Sequence, residues 1–468
     1  MRSAILLGLS LVAACDRFVP PPPTGPGTTA GPVTAVVIRP DSAQLIAEDS
    51  IQLTATPLDA RGDTVASAII TWSVGDTDVA AALPSGLVVT FDSGRTVVRA
   101  TAGGVSDSAS IAVAPILYRS VAAGDLHTCA VGNNHRAYCW GADASGQLGV
   151  VPAVLERPTA RNVAAGAVFA SLAAASLHTC GLGTDSLIRC WGIDGMGQLG
   201  TGTASSTPAL PGAVALALPY AQVAAGGGHT CGLTATGRAA CWGRNADGEL
   251  GTADSGWSAR PTLVDLPAVV TQLAAGSAHT CGLTVTGNAV CWGSDSLGQL
   301  GDSLAGGRLP VTVAGGHEFT SLAAGGAHTC GLVAGAAWCW GANGRGESGT
   351  GLPDSVLGAP APVTGGLSFA ALSAGGDFTC GLTPDSLAYC WGANDRGQVG
   401  DGTQTDRAAP TAVSGGLRFV QLSAGAQHVC AVTAAGAVYC WGDGESGQLG
   451  LAVVPPLETA PTRIPFPP

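Results

Sequence analysis

The residues best suited to chemistry in this sequence are cysteines that recur in pairs. Of its 15 cysteines, fourteen form seven pairs; six pairs are ten residues apart and the fifth is nine apart. The pairs are Cys129 and Cys139, Cys180 and Cys190, Cys231 and Cys241, Cys281 and Cys291, Cys330 and Cys339, Cys380 and Cys390, and Cys430 and Cys440. Metal ligation is the alternative to disulfide bonding, but the pairs lack the Cys-x-x-Cys spacing of zinc sites and lie in different repeats. We therefore expect seven disulfides and an oxidising compartment.

A hairpin explains why the spacing suits a disulfide. In the fourth copy, Thr284 and Asn288 flank a three-residue tip that ends in Gly287, and such tips favour glycine in their last position. This turn places Cys281 opposite Cys291, within disulfide reach. The fifth copy has one residue fewer, which leaves a two-residue tip, Ala334-Gly335, and keeps Cys330 opposite Cys339.

Histidines recur two residues before the first cysteine in every copy but the sixth, where Phe378 stands instead. They are His127, His178, His229, His279, His328 and His428. A ring of imidazoles could bind a metal ion, but the repeats would separate the rings too far and Phe378 is tolerated. We expect half-buried framework histidines, each hydrogen-bonded to a neighbouring turn, and hence no metal and no cofactor.

Catalysis finds no support in the remaining residues. No nucleophile is set beside a base, and no Gly-x-x-x-x-Gly-Lys phosphate loop exists, because the chain contains no lysine. We expect a protein that is not an enzyme. The formal net charge of −12 and the absence of a basic run also argue against nucleic acid as a partner.

The first 33 residues read as an export and anchoring segment. Residues 1–15 combine an early arginine, a short apolar run and Leu11-Val12-Ala13-Ala14-Cys15, which resembles a bacterial lipobox. We expect a lipid on Cys15 and no other membrane attachment. Residues 16–33 contain four consecutive prolines and predict an extended tether.

Short alternating apolar runs with turns between them occupy residues 34–115 and predict a small β-sandwich. The segments Gln52-Leu53-Thr54-Ala55-Thr56, Asp59-Ala60-Arg61-Gly62 and Thr71-Trp72-Ser73 resemble the bacterial Ig-like domain of the group-two type. That resemblance implies a spacer.

Seven copies of a unit 49 to 51 residues long fill residues 116–468, a period that is typical of β-propellers. Gly276-Ser277-Ala278-His279-Thr280-Cys281-Gly282-Leu283, Cys291-Trp292-Gly293 and Gly298-Gln299-Leu300-Gly301 resemble the regulator-of-chromosome-condensation repeat. The resemblance implies an all-β, seven-bladed β-propeller after the N-terminal Ig-like β-sandwich. The paired cysteines are similar to the exported bacterial branch of that superfamily, which includes a secreted β-lactamase inhibitor protein.

The tryptophan after each second cysteine recurs in all seven copies, which favours packing between blades over ligand binding. Variation concentrates in the loops that follow Trp-Gly, and these must share one face of a propeller. We select Arg345 and Arg396 in those loops, and Trp257 between two repeats, as candidates for partner binding. The alternative for Trp257 is packing under its own loop.

These patterns predict a monomeric, lipid-anchored, extracytoplasmic propeller of the bacterial envelope that binds an unknown protein, with enzyme inhibition as the narrower hypothesis. Binding of cell-wall or surface polysaccharide is the alternative. The eukaryotic family member acts as a guanine-nucleotide exchange factor, a role that the export signal argues against. We also expect Thr459 to Phe466 to complete the first blade, so that one blade is built from both ends of the repeat region.

Overall fold

The structure, a computed structural model, describes residues 31–150, 155–163, 166–303, 307–353 and 356–465, without the side chains of 206–209. The predicted leader (1–15), its Cys15 and most of the predicted tether (16–33) lie outside these residues. The chain divides into two compact units, Met1–Ala114 and Pro115–Pro468. All elements in the described ranges are β-strands.

Nine strands form the first unit, and β8 and β9 alternate buried and accessible residues along most of their length, as expected for strands with one face on a core. They are β1 (Ala35–Arg39), β2 (Ser42–Ile46), β3 (Ser50–Gln52), β4 (Thr54–Leu58), β5 (Thr71–Val74), β6 (Ala80–Ala82), β7 (Leu87–Thr90), β8 (Gly94–Ala102) and β9 (Val105–Ala114). The sheets are β2-β9-β8-β5, β3-β7-β6 and β1-β4. The Ig-like type of this unit stays a prediction.

The second unit is a propeller of seven four-stranded antiparallel sheets, each built from consecutive strands. Blade 1 has β10 (Tyr118–Ala123), β11 (His127–Gly132), β12 (Ala137–Ala142) and β13 (Glu156–Asn162); blade 2 has β14 (Phe169–Ala174), β15 (His178–Gly183), β16 (Ile188–Asp194) and β17 (Ser205–Ala213); blade 3 has β18 (Tyr220–Ala225), β19 (His229–Thr234), β20 (Ala239–Asn245) and β21 (Gly256–Leu263).

The other four blades repeat this order. Blade 4 has β22 (Val270–Ala275), β23 (His279–Thr284), β24 (Ala289–Gly293) and β25 (Gly307–Thr312); blade 5 has β26 (Ser321–Ala324), β27 (His328–Val333), β28 (Ala336–Ala342) and β29 (Val356–Pro362); blade 6 has β30 (Ala371–Ala374), β31 (Phe378–Leu382), β32 (Ala388–Gly392) and β33 (Arg407–Ala412); blade 7 has β34 (Phe419–Ala424), β35 (His428–Thr433), β36 (Val438–Asp443) and β37 (Leu457–Arg463).

The second and third strands of each blade form the predicted hairpin. Cys281 is the direct partner of Cys291 across the ladder, and Cys330 is the partner of Cys339 in the shortened copy. At that two-residue tip both Ala334 and Gly335 have positive φ, 50° and 85°, as a type I′ turn requires. The register predicted from the turn is therefore confirmed.

Each of the seven cysteine pairs carries a disulfide in the structure. The Cα atoms of the paired residues lie 4.1 to 4.2 Å apart, and all fourteen cysteines are buried. Each bond therefore crosses its own hairpin and links no two blades.

The prediction that the C-terminal strand completes the first blade is wrong. β37, which contains Thr459, pairs with β36 of blade 7, and blade 1 receives its fourth strand from β13. The proline-containing segment belongs to the repeat before it, as its outermost strand. Proline suits that position because an edge strand does not need every backbone N–H.

The ring closes through side-chain contacts between blades 7 and 1. Gln421 accepts a hydrogen bond from the backbone of Val121 and donates one back, both at 2.9 Å. Gln222 holds Leu273 of the following blade in the same way, at 2.9 and 2.7 Å. Blade 1 thus sits against blade 7 as an interior neighbour would, without strand exchange.

Candidate interaction face

Antiparallel blades divide their connections between two faces. The loop face carries the segments between the first and second strands and between the third and fourth strands of each blade. The hairpin face carries the hairpin tips and the linkers between blades. The variable loops selected from the sequence therefore share one face, and residues from the first–second strand loops of all seven blades line one axial depression there.

An aspartate or asparagine after Trp-Gly anchors the third–fourth strand loop in six blades. Its Oδ1 accepts a hydrogen bond from the backbone N–H five residues later, at 2.9 to 3.1 Å. The anchors are Asp143, Asp194, Asn245, Asp295, Asn343 and Asn394. Each of these side chains therefore caps the turn with which its loop begins.

The second residue of each Gly-Gln-Leu-Gly-type segment is a glutamine or glutamate, and its side chain holds the same loop. Its side-chain oxygen accepts from the backbone N–H two residues earlier, at 2.8 to 2.9 Å. These residues are Gln147, Gln198, Glu249, Gln299, Glu347, Gln398 and Gln448. With both ends fixed, the loops form a rigid surface, which reduces the ordering cost of binding.

The backbone carbonyl of that same glutamine or glutamate joins its blade to the next. The Gln299 carbonyl of blade 4 accepts from Thr329 Oγ1 and from Trp340 Nε1 of blade 5, both at 3.0 Å. Repeat tryptophans donate to the corresponding carbonyl in every blade except blade 6, where Trp391 Nε1 has no such partner. The predicted packing of tryptophan between blades is confirmed, with a polar contact added.

Six histidines extend this contact, and here the sequence interpretation needs correction. They are fully buried, and each Nε2 lies 2.7 to 2.9 Å from the hydroxyl of a strand threonine in the next blade, not from a turn. That hydroxyl donates its own hydrogen bond to the backbone carbonyl described above. The imidazole must therefore donate from Nε2, which leaves Nδ1 unprotonated.

Burial fixes these histidines in the neutral form. It lowers the pKa of His279 from 6.5 to about 3, with a further contribution from His328, and lowers the pKa of His328 to about 4. Both values lie well below neutral pH. These side chains therefore stabilise the fold, and their Nε2–H groups are already used in hydrogen bonds between blades.

The sixth blade replaces this arrangement with an apolar pair. Phe378 occupies the histidine position, and in blade 7 the matching threonine is Val429; both are fully buried in one cluster. Trp441 still donates to the Gln398 carbonyl, at 3.1 Å. Both partners of the missing hydrogen bond are thus absent together.

The two selected arginines lie on the loop face, but both are engaged between blades. Arg345 of blade 5 pairs with Asp395 (2.9 Å) and Asp406 (2.8 Å) of blade 6, and the bond to Asp406 raises the arginine pKa. Arg396 of blade 6 pairs with Asp443 (3.4 Å) and Glu445 (2.7 Å) of blade 7. Their first role is to join neighbouring loops.

Trp257 lies apart from the two arginines, at the start of the outer strand of blade 3. Its side chain is 55% exposed, so it does not pack under its loop. Arg244 is its partner on the neighbouring strand, and Arg244 Cβ and Met196 Cε lie 3.3 and 3.5 Å from where a Cβ on Gly228 would sit. Met196 of blade 2 thus lies beside Arg244, the strand partner of Trp257.

The sequence interpretation missed two leucines on the same face. Leu126 and Leu177 precede the repeated histidine in blades 1 and 2 and are 39% and 37% exposed, and Met196 is 39% exposed. The corresponding residues of blades 6 and 7 are Asp377 and Gln427. Variation at this position, next to a histidine that recurs in six of the seven copies, was the available signal.

In the described ranges, no group of three or more His, Cys, Asp or Glu side chains is placed to hold a metal ion. Over the same residues, no helix has the length and apolarity needed to cross a bilayer.

The fold and its repeats define a family. Residues 136–467 match the RCC1-like domain, and residues 118–147 match the regulator of chromosome condensation (RCC1) repeat. The first match covers more than half of the chain, so the chain belongs to the RCC1-like domain family.

Solved structures show the same fold at low sequence identity. Human WBSCR16 is 21% identical, with a TM-score of 0.65 over 71% of this chain and 94% of that one. Yeast RCC1 (Prp20), solved with Kap60, is 23% identical, with a TM-score of 0.61 over 70% of this chain and 83% of that one. At these identities the likeness concerns the fold alone.

Curated relatives match over shorter stretches. The probable E3 ubiquitin-protein ligase HERC6 of Homo sapiens is 33% identical over 134 residues, which is 28% of this chain and 13% of the relative. The ultraviolet-B receptor UVR8 of Arabidopsis thaliana is 32% identical over 149 residues, 31% of this chain and 33% of the relative. The chain therefore spans a third or less of these relatives.

Proposed function

We propose that this protein is a non-enzymatic, lipid-anchored propeller that acts outside the cytoplasm and binds a protein partner through its loop face. The observation that carries the proposal is a set of loops fixed at both ends, with accessible apolar side chains such as Met196 in a loop and Trp257 at the start of the strand after one. Rigid loops with exposed aromatic anchors are typical of protein-binding surfaces. Propellers of this family commonly bind proteins, which adds support by analogy.

The non-enzymatic part of the proposal rests on how the repeated polar groups are used. Six of the eight histidines donate to inter-blade threonines and are held neutral by burial. The loop carboxylates Asp194 and Glu347 accept backbone hydrogen bonds that shape their loops. These groups are thereby committed to the fold, and guanine-nucleotide exchange is not proposed.

The location is proposed from the sequence. The lipobox at Cys15 supports a lipid anchor in the bacterial envelope, and the regularly paired cysteines support an oxidising compartment. Replacing Cys15 with serine should release the chain from membranes or leave its leader uncleaved, and mass spectrometry of the N-terminal peptide would show the loss of the lipid. Unchanged membrane attachment of the Cys15→Ser chain would contradict the anchor.

Inhibition of an enzyme is the narrower form of the proposal, supported by the likeness of the paired cysteines to the exported branch of the family. Polysaccharide binding is the second candidate, because an exposed tryptophan such as Trp257 can stack on a sugar ring. We propose a monomer in either case.

Site-specific crosslinking tests the proposal. A photo-crosslinking amino acid at Ala246, exposed on the loop face, should capture one protein in intact cells. The same amino acid at Val285, 61% exposed at a hairpin tip, is the matched control and should capture none. Capture of glycan alone at Ala246 would favour the polysaccharide alternative, and no capture at either position would contradict both.

A further inference from the structure

The two faces of the propeller carry opposite charge. Accessible carboxylates on the loop face come from blades 1, 3, 6 and 7, counted over the described residues. They are Asp125, Glu156, Asp247, Asp254, Asp377, Asp395, Asp406, Glu445 and Glu458. The hairpin face and its adjoining strand ends carry Asp185, Asp265, Glu318 and Asp385 against more numerous arginines, which are Arg119, Arg136, Arg161, Arg189, Arg238, Arg418 and Arg463.

The loop face has more carboxylates than arginines, and six of its arginines are already engaged by carbonyls or carboxylates of that face. Arg308 donates to the backbone carbonyls of Asn245, Ala246 and Asp254 at 2.6 to 2.9 Å. The others pair with carboxylates: Arg157 with Asp143, Arg244 with Asp247 and Glu249, Arg345 with Asp395 and Asp406, Arg396 with Asp443 and Glu445, and Arg407 with Asp401. Such a face attracts cations and repels anionic polymers and anionic lipid surfaces.

An apolar sector, made of Leu126, Leu177, Met196 and Trp257, runs across blades 1 to 3 of this face. Backbone hydrogen bonds join the segments that bear the first three members, and Met196 lies beside Arg244, the strand partner of Trp257. The Asp125 N–H donates to the Ala175 carbonyl (3.2 Å), which joins the loops bearing the two leucines, and Ile193 N–H donates to the Leu177 carbonyl (3.1 Å).

Acidic groups lie beside the apolar sector. Asp125 precedes Leu126 and lines the axial depression, whose other polar side chains are Ser176 and Ser277. Asp247 is bonded to Arg244, the cross-strand neighbour of Trp257. The sector therefore offers apolar contact and negative charge together.

We propose that the loop face docks a protein surface that presents lysine or arginine side chains next to apolar ones, with the apolar sector as the point of closest contact and Asp125 as an acceptor for a cationic group. This inference rests on the proposed function and specifies the chemistry of its partner. Burial of apolar side chains at the sector would provide most of the affinity. The charge of the face would increase the association rate and orient the partner.

Synthetic peptides test the chemistry directly. The full-length chain in nonionic detergent is titrated with three labelled 12-residue peptides, which alternate Lys with Leu, Glu with Leu, or Lys with Ser; titration of detergent alone is the blank. The Lys–Leu peptide should bind at least 10-fold more tightly than either of the others, and its affinity should fall as salt rises. Equal binding of the Glu–Leu peptide would overturn the proposal.

Variants locate the contact. Leu126→Ser with Leu177→Ser, and separately Trp257→Ala, should each weaken Lys–Leu binding about 10-fold, and Asp125→Asn about 3-fold with a smaller salt dependence. Val285→Ser and Val420→Ser change apolar residues outside the loop face that are more exposed than the sector, at 61% and 56%, and should not change binding. The assignment of the contact to the sector would be overturned if the sector variants left peptide binding unchanged, or if the control variants weakened it equally.

The same variants separate this inference from the proposed function. If a protein is crosslinked at Ala246 but the sector variants do not reduce its capture, the function stands and the inference fails. If the peptides behave as expected but no protein is captured in cells, the inference about surface chemistry stands and the proposed function fails.

Discussion

Six of the seven blade interfaces are joined by a buried contact between histidine and threonine, and one is not. In the six, histidine donates to a threonine, which donates to a carbonyl of the histidine's own blade, as His279, Thr329 and Gln299 do. In the seventh, between blades 6 and 7, Phe378 and Val429 fill the same space without polar atoms. In the six polar interfaces every Nε2–H has an acceptor, and the seventh interface has no imidazole that needs one.

The difference shows that the two positions work as a unit across a blade boundary. A buried donor without its acceptor carries a desolvation cost, whereas replacing both partners with apolar groups can be nearly neutral. A mixed interface, histidine facing valine or phenylalanine facing threonine, occurs nowhere in the seven. The pairing therefore predicts how strongly each change should affect stability.

The largest effect should come from pH, because it acts on all six polar interfaces together. Burial lowers the pKa of His127, His229, His279 and His428 to about 3 and of His178 and His328 to about 4, against 6.5 as the ordinary value. The unfolded chain therefore binds protons below pH 6.5 that the folded chain cannot bind. Stability should be complete above that pH and fall as pH drops toward 4, by up to about 1.4 kcal/mol per pH unit for each histidine.

Urea unfolding between pH 8 and 5, followed by near-ultraviolet circular dichroism, measures this slope. Carboxyl groups whose pKa is raised by burial, such as Asp194, respond in the opposite direction, and keeping above pH 5 limits their contribution. A stability that does not change over this range would show that the histidines are not held neutral.

The next largest effect should follow Phe378→His alone, which makes one mixed interface. The new imidazole would face Val429, so its N–H would be buried without an acceptor, and packing of the phenyl ring would be lost. We expect a loss of about 3 kcal/mol in unfolding free energy. Unchanged stability would mean that water or a rearranged side chain satisfies the imidazole.

Thr329→Val makes the opposite mixed interface and should cost less, about 1–3 kcal/mol, because shape is nearly kept while His279 loses its acceptor. Thr271→Val, at an exposed threonine of blade 4, is the matched control and should stay within about 0.5 kcal/mol of the parent chain. Both are measured by urea unfolding at pH 8. Equal values for the two variants would argue against a stabilising contact.

The sequence predicted the propeller well because its signals are local and repeated seven times. A turn of fixed length sets the register of Cys281 and Cys291, and a tryptophan present in every copy has to pack. The boundaries of a blade were harder to predict from the sequence. A proline-containing strand such as the one that includes Pro410 can be assigned to the repeat before or after it, and only the pairing of β33 with β32 decides.

The candidate face was predicted only in part, because a side chain's partners come from the next blade. Arg345 reads as a free loop cation until Asp406, 61 residues later, is seen beside it. The histidines were expected to be half-buried and bonded to turns. Their true partner, a threonine about 50 residues later, lies in the next repeat and cannot be identified from one repeat alone. The charge difference between the faces likewise depends on which loops share a side of the ring.

The smallest effect should come from converting the exceptional interface completely. The double change Phe378→His with Val429→Thr would rebuild the polar contact, because the Gln398 carbonyl is already in place and accepts from Trp441 at 3.1 Å. We expect the double variant to lie within about 1 kcal/mol of the parent at pH 8, so that the second change recovers most of the loss caused by Phe378→His. It should also become more sensitive to acid, since a seventh neutral histidine adds up to about 1.4 kcal/mol per pH unit to the slope below pH 6.5. Val429→Thr alone serves as the control and completes the double-mutant cycle. If the double variant is as unstable as Phe378→His, the two positions do not act as a unit, and the shared absence of histidine and threonine at this interface has another cause.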